Sequence, residues 1–176
     1  MPMPFDAIMN KKILICGING YLGAAMARYL RRLRNGPIVY GIARRASKYG
    51  NAAIFACDLN QTSRLKNILR DIRPDIIFHF AGGRLGDDRK TFDANFTTTK
   101  NLLETLKRLG LTNKPRVIVP GSAAEYGNIQ GQGLIAEHCL PRPLGWYGFV
   151  KLLQTDLGLF FARQGLDVIV ARMYNI

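Results

Sequence analysis

The run Lys12-Ile13-Leu14-Ile15-Cys16, followed without a break by Gly17-Ile18-Asn19-Gly20-Tyr21-Leu22-Gly23, constrains this chain more than any other segment. A short apolar run that stops on glycine suits a strand buried on both faces of a parallel sheet. Beyond it, Leu22, Ala25, Met26, Tyr29, Leu30 and Leu33 recur at helical spacing until Gly36-Pro37 ends the helix. Strand, glycine-rich turn and helix in that order are the first half of a βαβ unit. Each of the three glycines has a task there: a tight turn, close approach of backbone to a pyrophosphate, and close packing of helix on strand. Amide groups at the positive helix end hold the phosphates. A dinucleotide is therefore expected, with Gly17, Asn19, Gly20, Tyr21, Leu22 and Gly23 around its pyrophosphate.

The alternation continues to the end of the chain. Ile38 to Ala43 reads as a second strand and Ala53 to Cys57 as a third. Leu65, Ile68, Leu69 and Ile72 form a helical stripe closed by Pro74, and Ile76 to Phe80 is a fourth strand. Phe92, Phe96, Leu102, Leu103, Leu106 and Leu109 approximate one further helical face, with Gly110 as its C-cap. Val117 to Val119, a long helix over Tyr147 to Arg163, and Val168 to Ala171 complete the series. Strands joined through helices imply right-handed crossovers and a parallel sheet covered on both faces. The expected fold is α/β, a Rossmann-type doubly wound parallel sheet of order 3-2-1-4-5-6, formed as one domain over 1–176.

Composition excludes several other classes. With 48% hydrophobic and 21% charged residues, 18 glycines and 8 prolines, the chain is neither disordered nor collagen-like nor a coiled coil. No apolar run approaches the roughly 20 residues that cross a bilayer, and Met1 to Asn10 lacks the pattern of a secretory signal. Cys16, Cys57 and Cys139 are too few for a disulfide framework and wrongly spaced for zinc, so no metal is expected and a reduced, cytoplasmic setting is. The net charge of +13 is partly local, because Arg28, Arg31, Arg32, Arg34, Arg44, Arg45 and Lys48 form a stretch without an acid. A solvated helix face explains much of it. No nucleic-acid-binding signature accompanies it, so nucleic acid is not an expected partner.

A pocket for an anionic cofactor is the third reading of that stretch. The end of the second strand should meet the adenosine ribose, where an acid would accept hydrogen bonds from a free 2′-hydroxyl and an arginine would pair with a 2′-phosphate. The sequence there is Ala43-Arg44-Arg45-Ala46-Ser47, which favours NADP(H) over NAD(H); the alternative is two surface arginines in a loop. Asp58-Leu59 is placed to reach the adenine edge, although Asp58 could equally be a helix N-cap. Tyr147 and Lys151 lie four apart on one helix face. A phenol, with an ordinary pKa of about 10, is a poor acid–base group at neutral pH. An ammonium one turn away favours the phenolate. Ser122, directly after the fifth strand, lies at the carboxyl edge where open α/β sheets bind ligands. It can hold a substrate oxygen there, or simply cap the strand.

Taken in order, the glycine loop, Asp58-Leu59, His79-Phe80-Ala81-Gly82, Asn95 with Asn101-Leu102-Leu103-Glu104, Ser122 to Gly127, Tyr147 to Lys151 and Arg172-Met173-Tyr174-Asn175 resemble an extended short-chain dehydrogenase/reductase. That is the NAD(P)-dependent epimerase/dehydratase family, which acts on nucleotide sugars. The loop spacing, with two residues between successive glycines, is the form that such proteins use. The stretches 40–47 and 58–63 are most similar to the GDP-mannose 4,6-dehydratase branch, and 121–127 to the GDP-4-keto-6-deoxymannose reductases. The resemblance implies that Tyr147 is the acid/base, that Lys151 binds the nicotinamide ribose and assists Tyr147, and that Ser122 binds the sugar O4. It further implies Arg44, Arg45 and Ser47 at the 2′-phosphate, Asp58 and Leu59 at the adenine, and Phe80, Ala81, Gly82 and Asn95 along the cofactor. Gly83 and Asn175 then approach the substrate. A related family dimerises through helices that correspond to 91–109 and 147–163, with Phe149, Leu153, Phe160 and Phe161 as candidate contacts.

Two departures refine the expectation. Dehydratases of the family use a glutamate two positions before the tyrosine of the Tyr-Gly pair, and here that position is Ala124. Glu125 is one residue late, which on an extended segment reverses its direction. The expected activity is therefore an NADP(H)-dependent 4-keto reductase or epimerase of a nucleotide sugar; the alternatives are a 4,6-dehydratase or a non-catalytic NAD(P)-binding sensor. The resemblance also implies roughly another 130–150 residues, a domain-sized substrate lobe, beyond Ile176. The expectation is that the present chain is the cofactor-binding part alone.

Overall fold

The computed structural model describes residues 8–45, 52–83, 86–128 and 134–174. Ser47 and Asn175 lie outside the described residues. The strands are β1 (Lys12–Cys16), β2 (Ile38–Ala43), β3 (Ala53–Ala56), β4 (Ile76–His79), β5 (Arg116–Ser122) and β6 (Val168–Met173). All neighbouring pairs are parallel and the order is β3-β2-β1-β4-β5-β6, as the alternation predicts. The carboxyl ends of all the strands therefore face one edge. The helices are α1 (Tyr21–Arg32), α2 (Thr62–Ile72), α3 (Asp88–Phe92), α4 (Thr98–Leu109) and α5 (Trp146–Arg163).

Alternation along β1 divides the core in two. Ile13 and Ile15 point to the α1 side, where they pack with Ile18, Ala27 and Leu30. Leu14 and Cys16 point to the other side, into a larger core with Leu65 and Leu69 of α2, Leu102, Leu103 and Leu106 of α4, and Phe161 of α5. The apolar stripes read from the sequence are those faces. Phe161 is thus a core residue and no dimer contact, whereas Phe149 and Phe160 are 43% and 50% exposed.

One element differs from its sequence pattern. The stripe through Phe92 and Phe96 does not join the stripe through Leu102 in one α-helix, because a π-turn over Asp93–Thr97 separates α3 from α4. The extra residue in a π-turn shifts the helical phase, which is why the apolar spacing jumps from Phe96 to Leu102. Threonine hydroxyls follow the turn closely: Thr98 Oγ1 donates to the Ala94 carbonyl (2.7 Å) and Thr99 Oγ1 to the Asn95 carbonyl (2.6 Å). Gly110 ends α4 in the left-handed conformation with φ 54°.

The larger core encloses one imidazole. His79, at the end of β4, is fully buried, and its Nε2 lies 2.9 Å from Thr99 Oγ1. Burial, with a smaller effect from the Lys151 ammonium, lowers its pKa from 6.5 to about 3. The unfolded chain then takes up a proton near pH 6.5 that the folded chain refuses until about pH 3. Stability from this group is therefore complete above pH 6.5 and is lost as pH falls toward 3. Urea unfolding should show about 2 kcal/mol of His79-dependent loss between pH 7 and pH 5, absent in His79→Leu. An equal loss in that variant would refute the assignment.

Candidate functional site

The glycine loop has the form a phosphate cradle needs. Gly17 has φ +81°, and a Cβ on it would meet Ala81 N at 2.7 Å. A Cβ on Gly23 would lie 2.2 Å from the Gly17 carbonyl oxygen. These two glycines are required by contact, whereas Gly20 is tight but less constrained, with Gly17 O at 3.2 Å. The Gly20 amide donates to Gly17 O and the Ala24 amide to Gly20 O. Between them the first turn of α1 has no side-chain cap and no acidic residue. Its amides from Tyr21 to Gly23 thus face the sheet edge at the positive helix end, which suits a phosphate.

Next to this turn, β2 ends on buried Ala43 and the chain emerges with Arg44 and Arg45 exposed. Asn19 Nδ2 donates to the Arg45 carbonyl at 3.4 Å, joining the two segments. Asp58 does not cap α2, whose N-cap is Gln61. Its Oδ1 accepts from the Asn60 amide (2.9 Å) in the turn after β3, and Leu59 is a core side chain. Beyond β4, the Phe80 amide donates to Cys16 O, and Ala81, Gly82 and Gly83 run along the edge beside Gly17. Asn95 lies under this segment, fully buried. Its Nδ2 donates to Gly83 O (2.8 Å) and Thr91 O (2.7 Å), and its Oδ1 accepts from Gly83 N (3.1 Å). A Cβ on Gly82 would strike that Oδ1 at 2.6 Å. Asn95 acts on the edge through the backbone it holds.

Ser122 is the last residue of β5 and the N-cap of a 3₁₀ turn, Ala123–Glu125. The segment is therefore helical rather than extended, and Glu125 turns inward because of the turn. Ser122 Oγ accepts from Ala124 N (3.2 Å), while Glu125 Oε1 accepts from Ser122 N (2.7 Å), a reciprocal capping box. Glu125 is completely buried, and its Oε2 accepts from Thr155 Oγ1 (2.9 Å) and Arg172 Nε (2.7 Å). Arg172 also donates to Tyr126 Oη (2.8 Å). The Glu125 hydrogen bond is a main reason the Arg172 pKa is raised, against the opposing effect of burial.

The start of α5 is pressed onto this turn, since a Cβ on Gly148 would lie 2.4 Å from Ala124 O. Tyr147 is half-buried beside a cleft of about 420 Å³ lined by Asp87, Asp88, Thr91, Ala124 and Trp146. Trp146 Nε1 donates to Asp88 O at 2.9 Å, which fixes one wall. Lys151 is buried and donates to the Pro120 carbonyl and to Gln154 Oε1. Burial lowers its pKa from 10.5 to about 8, opposed by the Glu125 charge. Tyr147, Lys151 and Ser122 thus share one corner of the edge, with no hydrogen bond among them. The sequence reading missed the commitment of Glu125, Arg172 and Gln154. Charged and amide residues inside otherwise apolar β6 and α5 are the signal that marks them.

Residues 13–176 match the family model of the NAD dependent epimerase/dehydratase family. The chain belongs to that family. It is 30% identical over 144 residues to GDP-mannose 4,6-dehydratase of Vibrio cholerae, covering 69% of this chain and 38% of that protein. It is 28% identical over 185 residues to UDP-glucose 4-epimerase of Mycoplasma genitalium, covering 94% of this chain and 52% of that one. It therefore spans about half or less of these relatives. Among solved structures, MoeE5 in complex with UDP-glucose and NAD superposes with a TM-score of 0.75 at 29% identity, covering 90% of this chain and 52% of that one. The dTDP-glucose 4,6-dehydratase of Bacillus anthracis, in complex with NAD, shares the fold with a TM-score of 0.82 at 18% identity, covering 94% and 55%. The fold is that of the extended short-chain dehydrogenases. No helix among the described residues is long and apolar enough to cross a membrane, and no metal-binding cluster occurs among them.

The Glu125–Arg172 pair makes a stability prediction. Arg172→Ala leaves a buried carboxylate without its cation and should cost about 3–5 kcal/mol in urea unfolding. The double variant Glu125→Val/Arg172→Met should recover part of that loss. A loss below about 1 kcal/mol in the single variant would mean that water reaches the carboxylate.

Proposed function

We propose that this chain carries the cofactor and hydride-transfer machinery of an NADP(H)-dependent nucleotide-sugar oxidoreductase, a 4-keto reductase or a 4-epimerase. The observation that carries the choice is the state of Glu125. Its carboxylate is buried and used by three donors, Ser122 N, Thr155 and Arg172, and a methyl group, Ala124, stands at the cleft beside Tyr147. Dehydration across C5–C6 needs a second acid/base group there. Hydride transfer at C4 does not.

In this reading the amides of Tyr21 to Gly23, with Gly17, Asn19 and Gly20, hold the pyrophosphate. Arg44 and Arg45, with Ser47, bind the 2′-phosphate; two guanidinium groups and no acid at the end of β2 support NADP(H) over NAD(H). Asp58 and the backbone of Leu59 border the adenine, and the Ala81–Gly83 backbone, held by Asn95, lines the nicotinamide half. NADP(H) supplies or accepts the hydride at the sugar C4. Tyr147 gives its hydroxyl proton to the C4 oxygen in reduction and takes it back in oxidation. Ser122 donates to the same oxygen, and Lys151 holds the nicotinamide ribose and favours the tyrosinate. Gly83 and Asn175 approach the sugar. The three cysteines among the described residues are free.

Fluorescence titration tests the cofactor half. NADPH should bind more tightly than NADH, and Arg44→Ala should weaken NADPH roughly 10- to 100-fold while leaving NADH unchanged, the effect of losing one charged hydrogen bond. Tighter NADH binding, or an Arg44→Ala variant that binds NADPH normally, would remove the 2′-phosphate assignment. For the chemistry, Tyr147→Phe should lower reduction of a 4-keto nucleotide sugar at least ~100-fold with NADPH affinity intact. Full activity in that variant would refute the role given to Tyr147.

A further inference from the structure

Beneath Lys151 runs a buried polar chain with every proton assignable. Gln154 Nε2 lies 3.2 Å from the Asn95 carbonyl and 2.7 Å from Thr99 Oγ1. A carbonyl only accepts, so the amide nitrogen must face Asn95 and the amide oxygen must face Lys151. Thr99 Oγ1 approaches the same Asn95 carbonyl at 2.6 Å, which requires the hydroxyl proton between them. Thr99 can then only accept from His79, so His79 is the Nε2–H tautomer and its buried Nδ1 is a lone pair without a partner among the described residues. The hydrogen bonds therefore run from His79 and Gln154 to Thr99, from Gln154 and Thr99 to Asn95, and from Lys151 to Gln154 and Pro120.

We propose that Gln154 is the positioning residue for Lys151: with the Pro120 carbonyl it fixes two of the three ammonium N–H bonds inward, so that one remains for the cofactor edge. That last clause rests on the function proposed for Lys151; the orientation of Gln154 does not. The acceptors of Lys151 are a carbonyl and an amide, which take hydrogen bonds but no proton at neutral pH. Lys151 is thus a charge held by two neutral acceptors. The Asn95 carbonyl, inside the π-turn, also accepts from the Thr98 amide. Other groups facing Lys151 are His79 of β4, kept neutral, Glu125 of the 3₁₀ turn, paired with Arg172, and Tyr147 one turn earlier on α5.

Side-chain NMR of the unliganded chain with ¹³C,¹⁵N-labelled lysine, assigned through Lys151→Met, reads the proposal directly. Lys151 should titrate near pH 8. Gln154→Met should move that midpoint down by about one to two pH units, because a charged hydrogen bond that favours the ammonium is gone. An unchanged midpoint in a folded Gln154→Met protein would overturn the proposal. Should that variant fail to fold, Gln154→Asn, whose shorter amide cannot reach Lys151, replaces it, and an unchanged midpoint there would overturn the proposal. Neither readout needs cofactor. A chain that binds no NADP(H) yet shows the Gln154 shift would refute the proposed function and leave this inference standing.

Discussion

The contact between Gly23 and the Gly17 carbonyl is the constraint on which the rest depends. Only without a Cβ at residue 23 can the first turn of α1 sit this close to the end of β1, and only without one at residue 17 can the turn pass the β4 backbone at Ala81. That close approach points the open end of α1 at the carboxyl edge of the sheet. Because all the strands are parallel, the ends of β2, β4 and β5 reach the same edge, carrying the arginine pair, the Ala81–Gly83 segment and Ser122. One packing requirement thus brings the proposed phosphate, ribose and reaction sites to one edge of the sheet.

The other half of the site rests on buried polar groups. Burying ionisable groups is unfavourable unless each has partners, and here the partners tie separate elements together. Glu125 joins the turn after β5 to α5 through Thr155 and to β6 through Arg172. Gln154 joins α5 to the π-turn and to Lys151. Such networks fix side-chain geometry more sharply than apolar packing does. The same commitment that stabilises Glu125 occupies its carboxylate with Ser122 N, Thr155 and Arg172, which is the ground on which hydride transfer is proposed over elimination.

The architecture was legible in the sequence because parallel strands and amphipathic helices impose different periods, and glycine marks the points where they meet. β1, β2 and the C-cap at Gly110 were readable to the residue. The π-turn was not, since its only trace is a broken apolar spacing between Phe96 and Leu102, easily taken for irregular helix. The candidate site was legible as a set of residue types at the carboxyl ends of the strands. The direction in which those side chains point depends on contacts between residues far apart in sequence. Nothing local announces that Glu125 meets Arg172, that Asn95 holds Gly83, or that Lys151 turns toward Gln154.

The central claim is that the carboxyl edge of this sheet binds NADP(H) along the line from Gly17 to Ser122. Amide chemical-shift mapping of the ¹⁵N-labelled chain during an NADPH titration tests it most directly. The account predicts the largest changes at Tyr21, Leu22 and Gly23, with further changes at Arg44, Arg45, Gly82 and Gly83. Shifts confined to the opposite edge of the sheet, or none at saturating NADPH, would contradict it.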